Sequence, residues 1–250
     1  MNQGSLDTRM KRYEAVTDGI LVNRMPVIIR LDGCHFHTFT KGLDKPFDDV
    51  LVKAMQLTTL DLCKNIQNCV FGYTQSDEIT LVINTYQTLE SSTWFDNRIQ
   101  KICSVAASMC SRLFNENFRK LAMEVHTNAQ ISDEKYFTYA AKFNTADFDC
   151  RVFNIPREEA VNCVIWRQKD CEKNSVMSLA QTLYSQSELN GVKYKAAQNK
   201  MFTEKGVNWD ELPTYLKRGT AIKKDTVYGW YIDYDMPILT KTREYLEDLV

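Results

Sequence analysis

Apolar residues run almost unbroken through Val27-Ile28-Ile29-Arg30-Leu31 and stop at Asp32-Gly33. A short continuous run of this kind predicts a strand covered on both faces. Over residues 49–64 the period changes. Val50, Leu51, Ala54, Met55 and Thr58 recur at helical spacing and predict an amphipathic helix. Two β-rich runs follow, Cys69-Val70-Phe71-Gly72-Tyr73 and Ile79-Thr80-Leu81-Val82-Ile83, joined by the short polar link Gln75-Ser76-Asp77-Glu78. That pattern reads as a hairpin.

A second helical stripe, Ile99, Ile102, Cys103, Ala106, Cys110, Leu113 and Phe114, predicts a long helix over residues 94–118. Residues 150–155 read as a further strand, and Pro156 suits the first turn of another helix. The order β-α-β-β-α-β predicts an α+β fold with a ferredoxin-like sheet over residues 1–156. From Arg157 onward the pattern turns mostly helical, and residues 157–250 are expected to form a helical lobe packed on the sheet. Runs at 226–232 and 237–240 are candidates for a late hairpin.

Composition adds limits. The chain has 250 residues, 44% of them hydrophobic and 25% charged, which is ordinary for a folded globular protein. A net charge of −1 provides no overall attraction for nucleic acid, so any RNA contact must come from a local patch. None of the eight cysteines forms a C-x-x-C pair and only three histidines are present, which disfavours a zinc site. No apolar stretch is long enough to span a membrane. With no signal peptide and free cysteines in apolar runs, a reducing, cytosolic compartment is expected.

The candidate chemistry lies in the acids. Asp32 ends the first strand, and Asp77 and Glu78 occupy the hairpin tip expected beside it. Two carboxylates brought together repel unless a cation lies between them, and hard oxygen ligands suit Mg²⁺. Gly33 allows close backbone approach and leaves its carbonyl as a further ligand. A metal pair held there would serve phosphoryl chemistry. The plainer reading is a turn followed by a solvated hairpin tip. Lys45, in the loop after the first acid, is placed to reach a triphosphate. Arg98 and Lys101, side by side on one helix face, are candidates for gripping pyrophosphate. His35 and His37 alternate around Phe36, and an extended backbone would point both imidazoles one way.

These residues resemble the tRNA-His guanylyltransferases and their guanylyltransferase-like relatives, the 3′-to-5′ polymerases. The resemblance runs through most of the chain. Asp32-Gly33-Cys34-His35-Phe36-His37 is similar to the family's D-G-x-x-F-H, and Lys45-Pro46-Phe47-Asp48 to K-P-x-D. Gly72 to Glu78 is similar to Y-G-Q-S-D-E with Gly and Tyr exchanged. Arg98-Ile99-Gln100-Lys101-Ile102 resembles R-x-x-K-I, and Phe148 to Val152 resembles F-D-x-R-V. Trp166 to Cys171 resembles W-R-Q-x-D, and Lys217-Arg218-Gly219-Thr220 the closing R-K-G-T.

The resemblance implies a polymerase-palm domain that joins a nucleotide to the 5′ end of tRNA, with two Mg²⁺ ions and with ATP and GTP as substrates. Carried over, Asp32, Gly33 and Asp77 would hold metal and Glu78 would be a further active-site acid. Gly33, Cys34, His35, Phe36, His37, Lys45, Asp48, Ser76, Arg98 and Lys101 would contact nucleotide. For RNA the expectation is a basic track through Arg151, Arg167, Asn174, Lys193, Lys195, Lys200 and Arg218. The family also implies a homotetramer.

Two departures matter. Cys34 stands where an Arg usually follows D-G. Glu172 to Leu179 replaces the H-I-N-N-L-Y-N-T of the tRNA-His enzymes, with only Asn174 kept. In this the chain resembles the guanylyltransferase-like branch, which implies repair of 5′-truncated tRNA by templated addition; addition of G at position −1 of tRNA-His is the alternative. A palm-related cyclase and a non-catalytic tRNA-binding protein are the other readings. The W-R-Q-x-D segment counts against the cyclase, and the retained acids count against the binding protein.

Overall fold

The computed structural model describes residues 5–249. Six strands form one antiparallel sheet: β1 (Val27–Gly33), β2 (Cys69–Gln75), β3 (Glu78–Ile83), β4 (Phe148–Asn154), β5 (Thr220–Asp225) and β6 (Gly229–Asp233). Their spatial order is β4-β1-β3-β2-β5-β6. The helices are α1 (Leu6–Glu14), α2 (Phe36–Phe39), α3 (Asp49–Asn65), α4 (Ile99–Thr127), α5 (Asp133–Ala140), α6 (Arg157–Leu183), α7 (Gln186–Leu189), α8 (Tyr194–Lys205) and α9 (Thr214–Arg218).

The chain runs β1-α3-β2-β3-α4-β4, and β3 lies between β1 and β2, so the α3 crossover spans an interleaved strand. β2 and β3 meet through a two-residue turn, Ser76-Asp77, closed by the pair Gln75 and Glu78. Ser76 takes φ +50°, a region that glycine prefers. The predicted hairpin is therefore present, one turn residue of which is the second acid.

Burial on both faces explains the unbroken apolar run of β1. Val27, Ile29 and Leu31 face a core shared with α3 and α4, whereas Ile28 joins Phe71, Tyr73 and Val82 under α6. A third cluster ties the second half of α6 to α8 through Val176, Ala180, Ala197, Met201 and Trp209. Gly72 is required where β2 passes α3, because a Cβ there would lie 2.5 Å from the Cys63 sulfur.

Three boundaries differ from expectation. The long helix starts at Ile99, not at residue 94, because Phe95, Asp96 and Asn97 all take positive φ and cannot continue into a right-handed helix. It then extends to Thr127. The late hairpin is Thr220–Asp225 with Gly229–Asp233, shifted from the expected runs. β5 pairs with β2, so the chain beyond Arg157 extends the sheet as well as covering it. No helix among the described residues is long and apolar enough to cross a membrane.

Candidate active site

Strand register brings the acids together. Asp32 on β1 is opposite Glu78 on β3 and, on its other side, opposite Asp149 on β4. Directly opposed residues share a face, so all three side chains project toward the face that carries α6. The Gly33 N–H donates to the Asp77 carbonyl at 3.1 Å and closes the β1 end against the hairpin turn. Burial raises the Asp77 carboxyl above its ordinary range, partly offset by hydrogen bonds from Ser76 and its own backbone; the Asp32 charge adds to the rise. Among the described residues no cationic side chain pairs with Asp32 or Asp77.

Gly33 has a steric reason to be glycine. A Cβ there would fall 2.2 Å from the Phe36 ring, which packs into an aromatic cluster with Phe39, Phe114 and Phe148. Phe36 is buried, so it shapes the loop after Asp32 from below and does not present its ring to a nucleotide. His35 takes φ +55° and α2 begins at the next residue. The two exposed imidazoles therefore sit on a helical turn with ring centroids 6.3 Å apart, not side by side on an extended segment. The Cys34 thiol is raised by burial and by the charges of Asp149, Asp147 and Asp32, which places it at the margin of the acids.

Glu78 belongs to a different assembly. Arg167 on α6 donates to both of its carboxylate oxygens, at 2.5 and 2.7 Å, and also reaches Asp170 at 2.9 Å. Burial pushes the Glu78 carboxyl up while Arg167 pulls it back. Burial likewise opposes the Arg167 charge, but Glu78 and Asp170 outweigh it and hold the guanidinium above its ordinary value. Glu78, expected as a further active-site acid, and Arg167, expected as an RNA contact, are thus found paired with one another. Each is the buried partner of the other, and together they fasten α6 to the sheet beside Asp32.

A cavity of about 280 Å³ opens next to the turn. Lys45, Asp48 and Ser76 line it, with Gln56 from α3, Asn174 and Ser178 from α6, and Tyr215 from α9. The Asp48 carboxylate is already committed: it accepts from the Leu51 and Asp44 N–H groups and from the Tyr139 hydroxyl, at 3.0–3.1 Å. It caps α3 and fixes the loop that carries Lys45, leaving the exposed Lys45 amine as the positively charged group at the rim. Asn174, expected at an RNA surface, lines this cavity instead.

Arg98 and Lys101 are placed elsewhere. Arg98 forms a bridge with Ile20 and an ion pair with Asp18 at 2.8 Å, near the start of β1. Ser111, farther along α4, bonds Phe148 opposite Gly33. Thirteen helical residues separate the two levels, about 20 Å. Within one chain this pair therefore does not reach the acids. The expected basic track is also interrupted: Lys200 pairs with Glu204 at 2.9 Å and Arg218 lies 3.5 Å from Glu172, while Arg151, Lys193 and Lys195 are exposed.

The register also exposes what periodicity missed. Asp149, within the F-D-x-R-V motif, joins Asp32 only because β4 pairs antiparallel to β1. Its signal in the sequence was the alternation of Asp149 and Arg151 with Phe148, Cys150 and Val152, which sets the two acids' strand face apart from the core face.

The model of the family described as tRNAHis guanylyltransferase matches residues 7–156, most of the sheet and both acids. The chain belongs to this family. Its members are nucleotidyltransferases acting on tRNA. Among solved structures, a bacterial tRNA(His) guanylyltransferase (Thg1)-like protein in complex with ATP superposes with a TM-score of 0.87 at 42% identity, covering 98% of this chain and 99% of that one. A bacterial Thg1-like protein in complex with GTP gives 0.81 at 38%, with the same coverage. A probable tRNA(His) guanylyltransferase of Dictyostelium discoideum is 25% identical over 83% of this chain and 78% of its own length.

Proposed function

We propose that this family member repairs the 5′ end of truncated tRNA by template-directed, 3′-to-5′ nucleotide addition. The observation that carries the reading is the convergence of Asp32 and Asp77 at the end of β1 with an open cavity beside them. Two features favour repair over addition of G to tRNA-His: the replaced segment at 172–179 and the higher identity to the bacterial Thg1-like proteins.

The first four strands are read as a ferredoxin-like palm and residues 157–250 as the lobe that accompanies it. Asp32, Asp77 and the Gly33 carbonyl are the candidate ligands for two Mg²⁺ ions. The fit rests on two unpaired carboxylates whose mutual charge and burial call for a cation. Bound there, the metal would neutralise charge developing on phosphate oxygens. Two carboxylates and a carbonyl would leave coordination positions for substrate phosphate oxygens, as magnesium sites of this kind require.

The chain's own residues supply position. Lys45 meets the phosphates of ATP or GTP in the cavity, and Ser76 and Asn174 line the nucleotide. With the 5′ phosphate of the tRNA activated, the 3′-hydroxyl of the incoming nucleotide attacks it. One P–O bond forms at that phosphorus, and the bond to the activating nucleotide or pyrophosphate breaks. Orientation and charge neutralisation carry most of the rate in such transfers. An exposed apolar row, Leu6, Met10, Tyr13, Val16, Ile20 and Val22, supports assembly into a homotetramer. The reading takes cytoplasmic tRNA as the substrate pool.

The test is extension of a 5′-labelled tRNA lacking its first nucleotide, with Mg²⁺, ATP and all four NTPs. A full-length product whose new base follows the opposing base supports repair. Addition only to intact tRNA-His would move the assignment to guanylylation at −1. Asp32→Ala should abolish turnover and leave tRNA binding intact.

A further inference from the structure

α6 covers the acid face above β2, β3 and the start of β1, where Ile28 is buried, but leaves Arg30 and Asp32 of β1 and the adjoining part of β4 partly open. On that open side the sheet presents Arg30 and Asp32 from β1, in register with Arg151 and Asp149 from β4. Asp149 and Arg151 are exposed. Over Arg30 stands Trp166, a large aromatic on α6, with 51% of its surface exposed. An indole left half in solvent, beside a site that handles nucleotides, is the least economical residue on this face.

Its position is fixed. The Arg167 guanidinium lies 4.4 Å from the Trp166 ring centroid and is itself locked by Glu78 and Asp170. Arg30 approaches the same ring at 5.5 Å and makes no ion pair among the described residues. Arg30 lies two residues before Asp32 on the same strand face, about 7 Å along the strand. Trp166 therefore meets the sheet at Arg30, two positions from Asp32, and neither Trp166 nor Arg30 lines the Lys45 cavity. An aromatic plate with an unpaired arginine beside it suits a single-stranded end, the ring stacking a base and the guanidinium following the phosphates.

We propose that Trp166 is a stacking platform for the 5′-terminal base of the RNA, with Arg30 and Arg151 on its backbone phosphates. This rests on the tRNA-end reading above and assigns the two flanks of the acid pair: nucleoside triphosphate in the cavity beside Ser76, RNA end in the trough under Trp166. When RNA enters, Arg30 gives up the ring to the base and keeps contact with the adjoining phosphate. Arg167 stays in place, because its donors are already taken.

The experiment compares wild type, Trp166→Ala and Trp166→Phe in extension of a truncated tRNA transcript, with KM measured separately for tRNA and for NTP. Wild-type turnover reports on the tRNA-repair reading; the ratios between variants report on the platform. Trp166→Ala should raise KM for tRNA on the order of tenfold, with KM for NTP unchanged and Trp166→Phe close to wild type. The same transcript with an abasic 5′-terminal residue should bind wild type and Trp166→Ala equally. Should wild type fail to turn over, quenching of the indole emission that Trp166→Phe removes still decides the matter on titration with tRNA. A KM change for NTP in place of tRNA would overturn the assignment, and so would unchanged kinetics together with no quenching. Folding is checked by thermal melting, and Trp166→Leu substitutes if the alanine variant melts early.

Discussion

Asp77 shows how one residue connects stability with chemistry. Burial holds its carboxyl above the ordinary range, so the charged form is penalised in the folded state. The penalty is present above the raised value and fades as pH falls through it, because the folded protein then takes up the proton. In EDTA, Asp77→Asn should therefore melt higher than wild type at pH 8, and the gap should narrow toward pH 4. Adding Mg²⁺ should raise the melting temperature of wild type and not of the variant; melting curves across pH with and without the metal check both. Gly33→Ala belongs to the same scale. Its Cβ would meet the Phe36 ring, and overpacking of this kind costs about 1–3 kcal/mol. Denaturant unfolding should show that loss, and turnover should fall more than stability alone accounts for because the Asp32 loop must shift.

Between elements, the Glu78–Arg167 pair holds β3 to α6. Removing one partner of a buried pair leaves an uncompensated charge and costs about 3–5 kcal/mol, whereas removing both can be nearly neutral. Arg167→Met is expected to destabilise by that amount, and adding Glu78→Gln should recover much of it. A double-mutant cycle by urea unfolding measures the coupling. If the double variant is no more stable than Arg167→Met, the pair does not fasten the helix. Sequence reasoning treated these two residues as a reacting acid and an RNA contact because both sit in dense motifs. Their partnership spans 89 positions and is visible only once α6 crosses the sheet.

For the whole molecule, the cavity and the apolar row that begins on α1 carry the remaining expectations. Lys45→Ala removes the one positive charge among the described residues that line the cavity. Loss of a hydrogen bond to a charged group costs about 1.5–3 kcal/mol, so KM for the nucleotide should rise by tenfold or more with the melting temperature unchanged. Replacing Met10 and Tyr13 with Glu places charge in the exposed row, and sedimentation should then show smaller assemblies than wild type. An unchanged mass would remove α1 from the interface.

Period and punctuation were enough to determine much of this protein. The two-sided burial of β1, the helix over α3 and the Ser76-Asp77 hairpin follow from local patterning, since strand and helix periods are imposed by backbone geometry. The ordered motifs placed the chain in its family. Only the tertiary structure decided which charges are free. It spent Asp48 on a helix cap, Glu78 on Arg167 and Phe36 on the aromatic core, and it set Arg98 and Lys101 at the far end of the sheet. It also brought Asp149 to Asp32 and left Trp166 open beside them. The physical reason is that local periodicity records which face a residue shows, while the partner it meets there depends on strand register and helix crossing, set by contacts distant in sequence.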